Sequence, residues 1–202
     1  PLRQMTGSSE FNEVFFTDVK TPKDWIVGKR GEGWQVSRAT LKHERNLIGD
    51  PRMLSDQFDR LLELAREAQM EGRPAIQDPG VRRRLAEIEG HVRSCETANL
   101  RMLSATIRGE EMQAMLPMMM IKLVSTDTTQ MIMKAAYDLL GSDGLVESGE
   151  GGNYEKDNRP SSVLQNYLFS LGPAIAGGAS NIQRNIIGER GLGLPRDPKP
   201  SA

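Results

Sequence analysis

Residues 78–107 read DPGVRRRLAEIEGHVRSCETANLRMLSATI, and this stretch decides the fold. Asp78 can cap a helix, and Pro79 suits its first turn because the N–H that proline lacks is not needed there. Apolar side chains then recur at spacings of three and four residues, with Asn99 on the same seam: Val81, Leu85, Ile88, Val92, Cys95 and Met102. This period predicts a helix to about Ile107 that packs in an antiparallel bundle.

Helical periodicity also extends on both sides of this stretch. It predicts further long helices over 33–49, 53–70 and 117–140, and a short one over 161–171 after a Gly-rich loop at 149–153. The second helix carries one clear apolar stripe, formed by Leu54, Phe58, Leu61, Leu62 and Ala65. The sequence GSDG at 141–144 is expected to stop the fourth helix.

The two ends of the chain differ from this helical region. Residues 11–20 are rich in β-branched and aromatic side chains, which predicts one strand or two short ones. Near the other end, Gly177 and Gly178 precede a helix predicted over about 182–190, with Ser180 or Asn181 as its cap. We therefore predict a mainly α protein: a β remnant at 1–30, a helical bundle at 31–196 and a disordered tail at 197–202.

Composition excludes several classes of partner and site. A net charge of -1 over 202 residues creates no global field for nucleic acid. The longest apolar run, 115–124, contains Lys122 and is too short to insert across a membrane. Cys95 is the only cysteine, which fits a reducing compartment and a structural role. His43 and His91 lack metal-ligand spacing, so we expect no metal site.

Three features could carry chemistry, but each also has a structural explanation. Glu44 lies at the margin of the apolar face of the first helix, where it either pairs with Lys42 or Arg45 or acts as a base in a pocket. The arginine run 82–84 forms a solvated helix face or holds a phosphate. The glycine pair at 177–178 is an ordinary loop or part of an anion site.

Six short pieces, in this order, resemble the C-terminal half of an acyl-CoA dehydrogenase. They are FNEVFFTDVK (11–20) followed by Pro22, GEGW (31–34), LKHER (41–45), IKL (121–123), LGSDG (140–144), and the late motif that runs from Gly177-Gly178 through IQR (182–184) to LGLPR (192–196). The resemblance implies the four-helix bundle of that family's C-terminal domain, in up-down order, after the end of its middle β domain. It also implies that the family's N-terminal domain is missing from this sequence.

The resemblance further implies a reaction of lipid β-oxidation. A carboxylate removes the α proton of an acyl-CoA thioester, and the β hydrogen leaves as hydride to FAD. An electron-transfer flavoprotein then accepts the electrons. We expect a homo- or hetero-oligomer, a dimer or tetramer, joined through the bundle. The location would be the bacterial cytoplasm, or the mitochondrial matrix in a eukaryote, and this fragment alone is expected to be inactive.

The resemblance offers two positions for the base. Most family members carry a Glu that corresponds to Gly177 here, and glycine cannot abstract a proton. Isovaleryl- and long-chain-type members instead place the Glu on the first bundle helix, directly before an Arg. That position holds Glu44, followed by Arg45. We therefore assign proton abstraction to Glu44 and substrate binding to Arg45.

The implied FAD contacts are partly lost. The family's Arg and Gln correspond to Ala68 and Pro79, so Arg82, or Arg84, is a candidate substitute. The remaining candidates follow the family's late turn and late motif: Asp138, Gly141, Ser142, Gly178, Ser180 and Asn181. These departures leave an alternative open, a non-catalytic partner subunit that contributes an interface and part of a FAD site to a heteromer.

Overall fold

The structure is built mainly of helices. The computed structural model describes residues 1–48, 50–145 and 159–196, without the side chains of residues 42–48, 111, 112 and 160. Its helices are α1 (Gly33–Ile48), α2 (Pro51–Glu67), α3 (Pro79–Ile107), α4 (Glu111–Leu140), α5 (Pro160–Ser170) and α6 (Ser180–Ile186). The loop predicted at 149–153 and the tail predicted at 197–202 lie outside the described residues. No helix in the described part of the chain is long and apolar enough to cross a membrane.

Helix α3 has the bounds that the sequence predicted. The Oδ1 atom of Asp78 accepts hydrogen bonds from the backbone N–H groups of Gly80 and Val81, at 2.8 and 2.9 Å. Pro79 occupies the first turn, as expected. The side chains on the seam from Leu85 to Cys95 are buried. Local capping and periodicity therefore suffice to define this element.

The core lies between α2, α3, α4 and α5. Its buried members are Leu54, Phe58, Leu61, Leu64, Ala65, Leu85, Ile88, Val92, Cys95, Ile132, Met133, Ala135, Ala136 and Val163. Removing such side chains from water contributes about 1.5–3 kcal/mol for each of the larger ones. Tyr137 and Tyr167 stack with ring centroids 5.1 Å apart, which joins α4 to α5.

Cys95 has the structural role expected for it. Its side chain is buried in the core between α3 and the neighbouring helices. Burial raises the pKa of the Cys95 thiol, although a hydrogen bond with the Thr128 side chain lowers it. A raised pKa keeps the thiol protonated, which makes it a poor nucleophile.

A small hairpin between α2 and α3 was missed. Strand β1 (Gln69–Met70) pairs antiparallel with β2 (Arg73–Pro74). The two turn residues, Glu71 and Gly72, have φ angles of 51° and 76°. Positive φ at both central positions is typical of a type I′ turn, whose twist matches a hairpin. The helix predicted to reach Met70 therefore ends at Glu67.

The strand predicted at 11–20 is wrong. Within the described residues before α1, pairing is limited to one isolated bridge between Leu2 and Phe11. Several large apolar side chains of this region are exposed: Phe11, Val14, Phe15, Phe16, Val19, Trp25, Ile26, Val27 and Trp34. Strand propensity measures fit to a neighbouring strand, and no such neighbour is present among the described residues.

Two boundaries in the C-terminal half also differ from prediction. Helix α4 begins at Glu111, not at Pro117, and Pro117 lies inside it. It ends at Gly141, as expected, where φ is 54°. The late helix begins at Ser180, two residues earlier than predicted; α6 ends at Ile186, and a π-helical turn continues it over Ile187–Gly191, close to the predicted end.

A core substitution and a surface substitution on the same helix test this packing. Ile88 is fully buried, whereas Ile107 is 77% exposed. Ile88→Ala leaves a cavity and is expected to lower the free energy of unfolding by about 2–5 kcal/mol. Ile107→Ala is expected to change it by less than about 0.5 kcal/mol. Urea unfolding measures both, and equal losses would contradict the assigned core.

Candidate functional site

The late glycine pair adopts a conformation that only glycine accepts readily. Gly177 and Gly178 have φ angles of 64° and 105°. A Cβ atom on Gly178 would lie 2.3 Å from Nε2 of Gln183, far inside van der Waals contact. The positive φ therefore favours glycine at position 178, and a Cβ there would also force the amide of Gln183 to move.

Two buried side chains donate hydrogen bonds to the carbonyl groups of this pair. Nζ of Lys122, in the middle of α4, donates to the carbonyl oxygen of Gly178 at 2.7 Å. Nε2 of Gln183, on α6, donates to the carbonyl oxygen of Gly177 at 3.2 Å. Lys122 is 2% exposed and Gln183 is 4% exposed. The donors are therefore buried, whereas the glycine carbonyls that accept are half-buried.

The predicted caps of α6 are wrong. Ala179 occupies the capping position and makes no side-chain cap. The hydroxyl of Ser180 instead donates to the carbonyl of Ala174 at 3.3 Å, and Oδ1 of Asn181 accepts from Arg184 at 3.2 Å. Both side chains therefore form hydrogen bonds within this segment and do not cap α6. Ser180 is already the first residue of the helix.

A cavity of about 320 Å³ lies between α2, α3, α4 and the β1–β2 hairpin. Its walls are mainly apolar and are formed by Leu61, Met70, Val81, Leu85, Ala135 and Leu139. Polar groups enter from Asp78, Arg84 and Asp138. An apolar recess with a few charged groups is the usual form of a small-molecule site.

Charged side chains cluster at one wall of this cavity. The guanidinium of Arg84 lies 2.7 Å from Oδ2 of Asp138, and Lys134 forms an ion pair with Oδ1 of the same carboxylate. Burial acts to raise the pKa of Asp138, but hydrogen bonds from Lys134 and Arg84 outweigh it, so the pKa is lowered. Lys134 lies outside the cavity lining, so the charged groups that face the cavity are Arg84, Asp78 and Asp138.

The structure separates the predicted site residues into two groups. Asp138 lines the cavity together with Arg84, whereas Arg82 is exposed and does not line it. Gly141 and Ser142 lie just beyond Asp138, in an exposed turn. Gly178, Ser180 and Asn181 belong to the loop held by Lys122. Since a helix rises about 1.5 Å per residue, the two groups are about 24 Å apart along α4.

The proposed base lies on α1, but its side chain cannot be placed. The backbone of α1 runs through Glu44 and Arg45, and their side chains are outside the described residues. The side chain of His43 is also outside the described residues. His91 is exposed on α3. Among the described residues, no three His, Cys, Asp or Glu side chains are placed to hold a metal ion.

The sequence contained signals for two residues whose part in these sites it did not assign. Lys122 is the one charge within the apolar run 115–124, and a lone lysine in such a run needs a buried partner. Gln183 follows the glycine pair closely enough to fold back on it. The acceptors themselves were not predictable, because they depend on how the late loop meets α4.

Comparison with known proteins gives one family match. Residues 31–192 match the family described as "Acyl-CoA dehydrogenase, C-terminal domain". Acyl-CoA dehydrogenase IpdE1 of Mycobacterium tuberculosis is 35% identical over 202 residues, which cover 98% of this chain and 48% of the relative. The chain thus spans about half the length of this curated relative.

Solved structures share the fold. One described as "Tcur3481-Tcur3483 steroid ACAD" matches with a TM-score of 0.75 and 20% identity, over 98% of this chain and 48% of its own. The ChsE4-ChsE5 complex from Mycobacterium tuberculosis matches with a TM-score of 0.70 and 22% identity, over 91% of this chain and 46% of its own. These likenesses support the helical architecture assigned above.

The glycine at position 178 provides a test of the loop. Gly178→Ala combines a left-handed φ with a clash, so we expect it to lower the free energy of unfolding by about 1–3 kcal/mol. Gly90→Ala on α3 is the matched control, because a Cβ there has no described neighbour within 4 Å. A helical Gly-to-Ala change is expected to stabilise by up to about 1 kcal/mol. Chemical unfolding compares them, and a harmless Gly178→Ala would contradict this loop conformation.

The charged cluster predicts a dependence of stability on pH. A carboxylate with a lowered pKa in the folded state stabilises above its ordinary pKa, and this contribution is lost as the pH falls through the lowered value. We expect Asp138→Asn to lose less free energy of unfolding than the wild type between about pH 5 and pH 3. The effect is small because all three side chains are over one third exposed.

The matched control for this pH test is Asp59→Asn, an exposed carboxylate on α2 outside the cluster. It should retain the acid sensitivity of the wild type. Unfolding curves recorded across the pH range give the comparison. Identical slopes for the two variants would show that the Asp138 cluster contributes nothing to acid stability.

Proposed function

This chain belongs to the acyl-CoA dehydrogenase family, and we propose that it takes part in FAD-dependent α,β-dehydrogenation of an acyl-CoA thioester. The family match over residues 31–192 is the observation that carries this proposal. The guanidinium of Arg84 on the cavity wall supports it, because an anionic cofactor needs a cationic contact.

The residues at this wall fit part of FAD. Arg84 would hold a phosphate oxygen, and Lys134, outside the cavity lining, shares the Asp138 carboxylate with it. Leu61, Val81 and Leu139 would cover a flat ring with apolar surface. Gly141 would allow close approach of the backbone. When bound, FAD supplies the acceptor for the hydride that leaves the β carbon.

Glu44 is the group to which we assign removal of the α proton. The resemblance places it, directly before Arg45, where isovaleryl- and long-chain-type members carry their base. Gly177 excludes the other position used in the family, because it has no side chain. A carboxylate beside a dry pocket has a raised pKa, which suits a general base near neutral pH. Arg45 would bind the substrate next to it.

A second candidate function follows from two positions. Ala68 and Pro79 stand where the resemblance expects an Arg and a Gln, and neither has a side-chain hydrogen-bond donor. Two structures of the same fold carry the names of two proteins each, Tcur3481-Tcur3483 and ChsE4-ChsE5. The alternative is therefore a non-catalytic subunit that completes a FAD site in a heteromer.

The substrate proposal is an acyl-CoA, with a sterol-derived thioester as one member to test. One matched structure is described as a steroid enzyme, and its chain is similar in fold. Electrons would pass on to an electron-transfer flavoprotein. Because one relative is mycobacterial, we propose the bacterial cytoplasm as the location.

Replacing the proposed base separates flavin binding from chemistry. Glu44→Gln is expected to retain bound flavin but to slow its bleaching by acyl-CoA at least one-hundredfold, on the order of a general base's contribution. Glu63→Gln, an exposed carboxylate on α2, is the control and should bleach normally. Absorbance near the flavin band in stopped flow, with straight-chain and sterol-derived thioesters, gives the rates.

The same preparations decide between the two candidates. The protein is expressed alone and together with its genomic neighbours, and FAD is counted per chain. A catalytic subunit predicts that Glu44→Gln abolishes bleaching. Bleaching at the wild-type rate would exclude Glu44 as the base, and FAD held only in the mixed assembly would favour the partner-subunit role.

A further inference from the structure

Most buried polar side chains in the middle of α4 are satisfied by their own helix. The hydroxyls of Ser125, Thr126 and Thr128 donate to carbonyl oxygens three or four residues earlier, at 2.7–3.1 Å. Such bonds keep a hydroxyl inside a core without a partner from another element. Thr128 also makes a hydrogen bond with Cys95 on α3, whereas the bonds given for Ser125 and Thr126 stay within α4.

Lys122 differs from these residues. Its ammonium reaches across to the carbonyl oxygen of Gly178, 56 residues later in the chain. A buried hydrogen bond with a charged donor is about twice as strong as a neutral one, and losing it leaves the carbonyl without this donor. The side chain therefore connects the central helix to one specific turn.

A second buried side chain, that of Gln183 on α6, also binds this turn. Gln183 donates to the carbonyl of Gly177, and its amide packs where a Cβ of Gly178 would lie. Consecutive carbonyls are thus each bound by a buried side chain, one from α4 and one from α6. A flexible glycine pair with two fixed carbonyls has little freedom left.

We propose that Lys122 and Gln183 form a two-donor clamp that fixes the Gly177–Gly178 turn. The clamp attaches the middle of α4 to the loop that precedes α6.

Hydrogen–deuterium exchange tests the clamp without any need for activity. The variant Lys122→Met, in the full chain with its partners, keeps the stem of the side chain and removes the donor. Amide exchange over residues 176–184, where the N–H groups of Ala176 and Gln183 bind the carbonyls of Gly172 and Ala179, is expected to rise about tenfold or more. Thr128→Val, also buried on α4, is the control and should leave exchange in this segment unchanged. Equal exchange in both variants would overturn the clamp.

The second donor protects this test against a variant that fails to fold. Gln183→Met removes the other hydrogen bond and is expected to raise exchange in the same segment. In the double variant, the two effects should be non-additive, since both donors restrain one turn. Unchanged exchange in Gln183→Met, or simple additivity, would contradict a shared clamp.

Discussion

Helix α4 contacts every other described helix, and this central position constrains its polar side chains. A hydroxyl can turn back onto its own helix, as Thr128 does. An ammonium at a buried position must find an oxygen elsewhere, since leaving it unpaired costs several kcal/mol. The place of the late loop is therefore tied to one lysine, and the loop's glycines let its backbone reach that lysine.

Much of the fold was predictable because its signals are local. Helix α3 has a cap, a proline in its first turn and an uninterrupted apolar seam, so its bounds could be read directly. The start of α4 could not be predicted in this way. Proline usually marks the first turn of a helix, whereas Pro117 lies inside α4. Leu116, directly before this proline, packs against Gly191, where a Cβ would approach its Cδ1 to 2.7 Å. The strand predicted at 11–20 did not form because a strand needs a neighbouring strand, and strand propensity does not supply one.

The candidate site was predictable only where the spacing of residues along a helix shows which of them share one face. Arg84 shares a face with Val81 and Leu85, which line the cavity, so phase alone favours Arg84 over Arg82. Asp138 was identified from its place before a glycine turn, but its pairing with Lys134 and Arg84 depends on two helices meeting. The contact between Lys122 and Gly178 joins distant segments, and no local pattern contains it. The role of Glu44 stays a prediction from resemblance.

The distance in sequence between Lys122 and its acceptor has a consequence for biosynthesis. At about 5–20 residues per second, the ribosome adds the glycine turn on the order of several seconds after the lysine. Until then the bond from the Lys122 ammonium to the Gly178 carbonyl cannot form. Translation order thus delays the attachment of α4 to the late turn until the carboxyl-terminal motif has emerged.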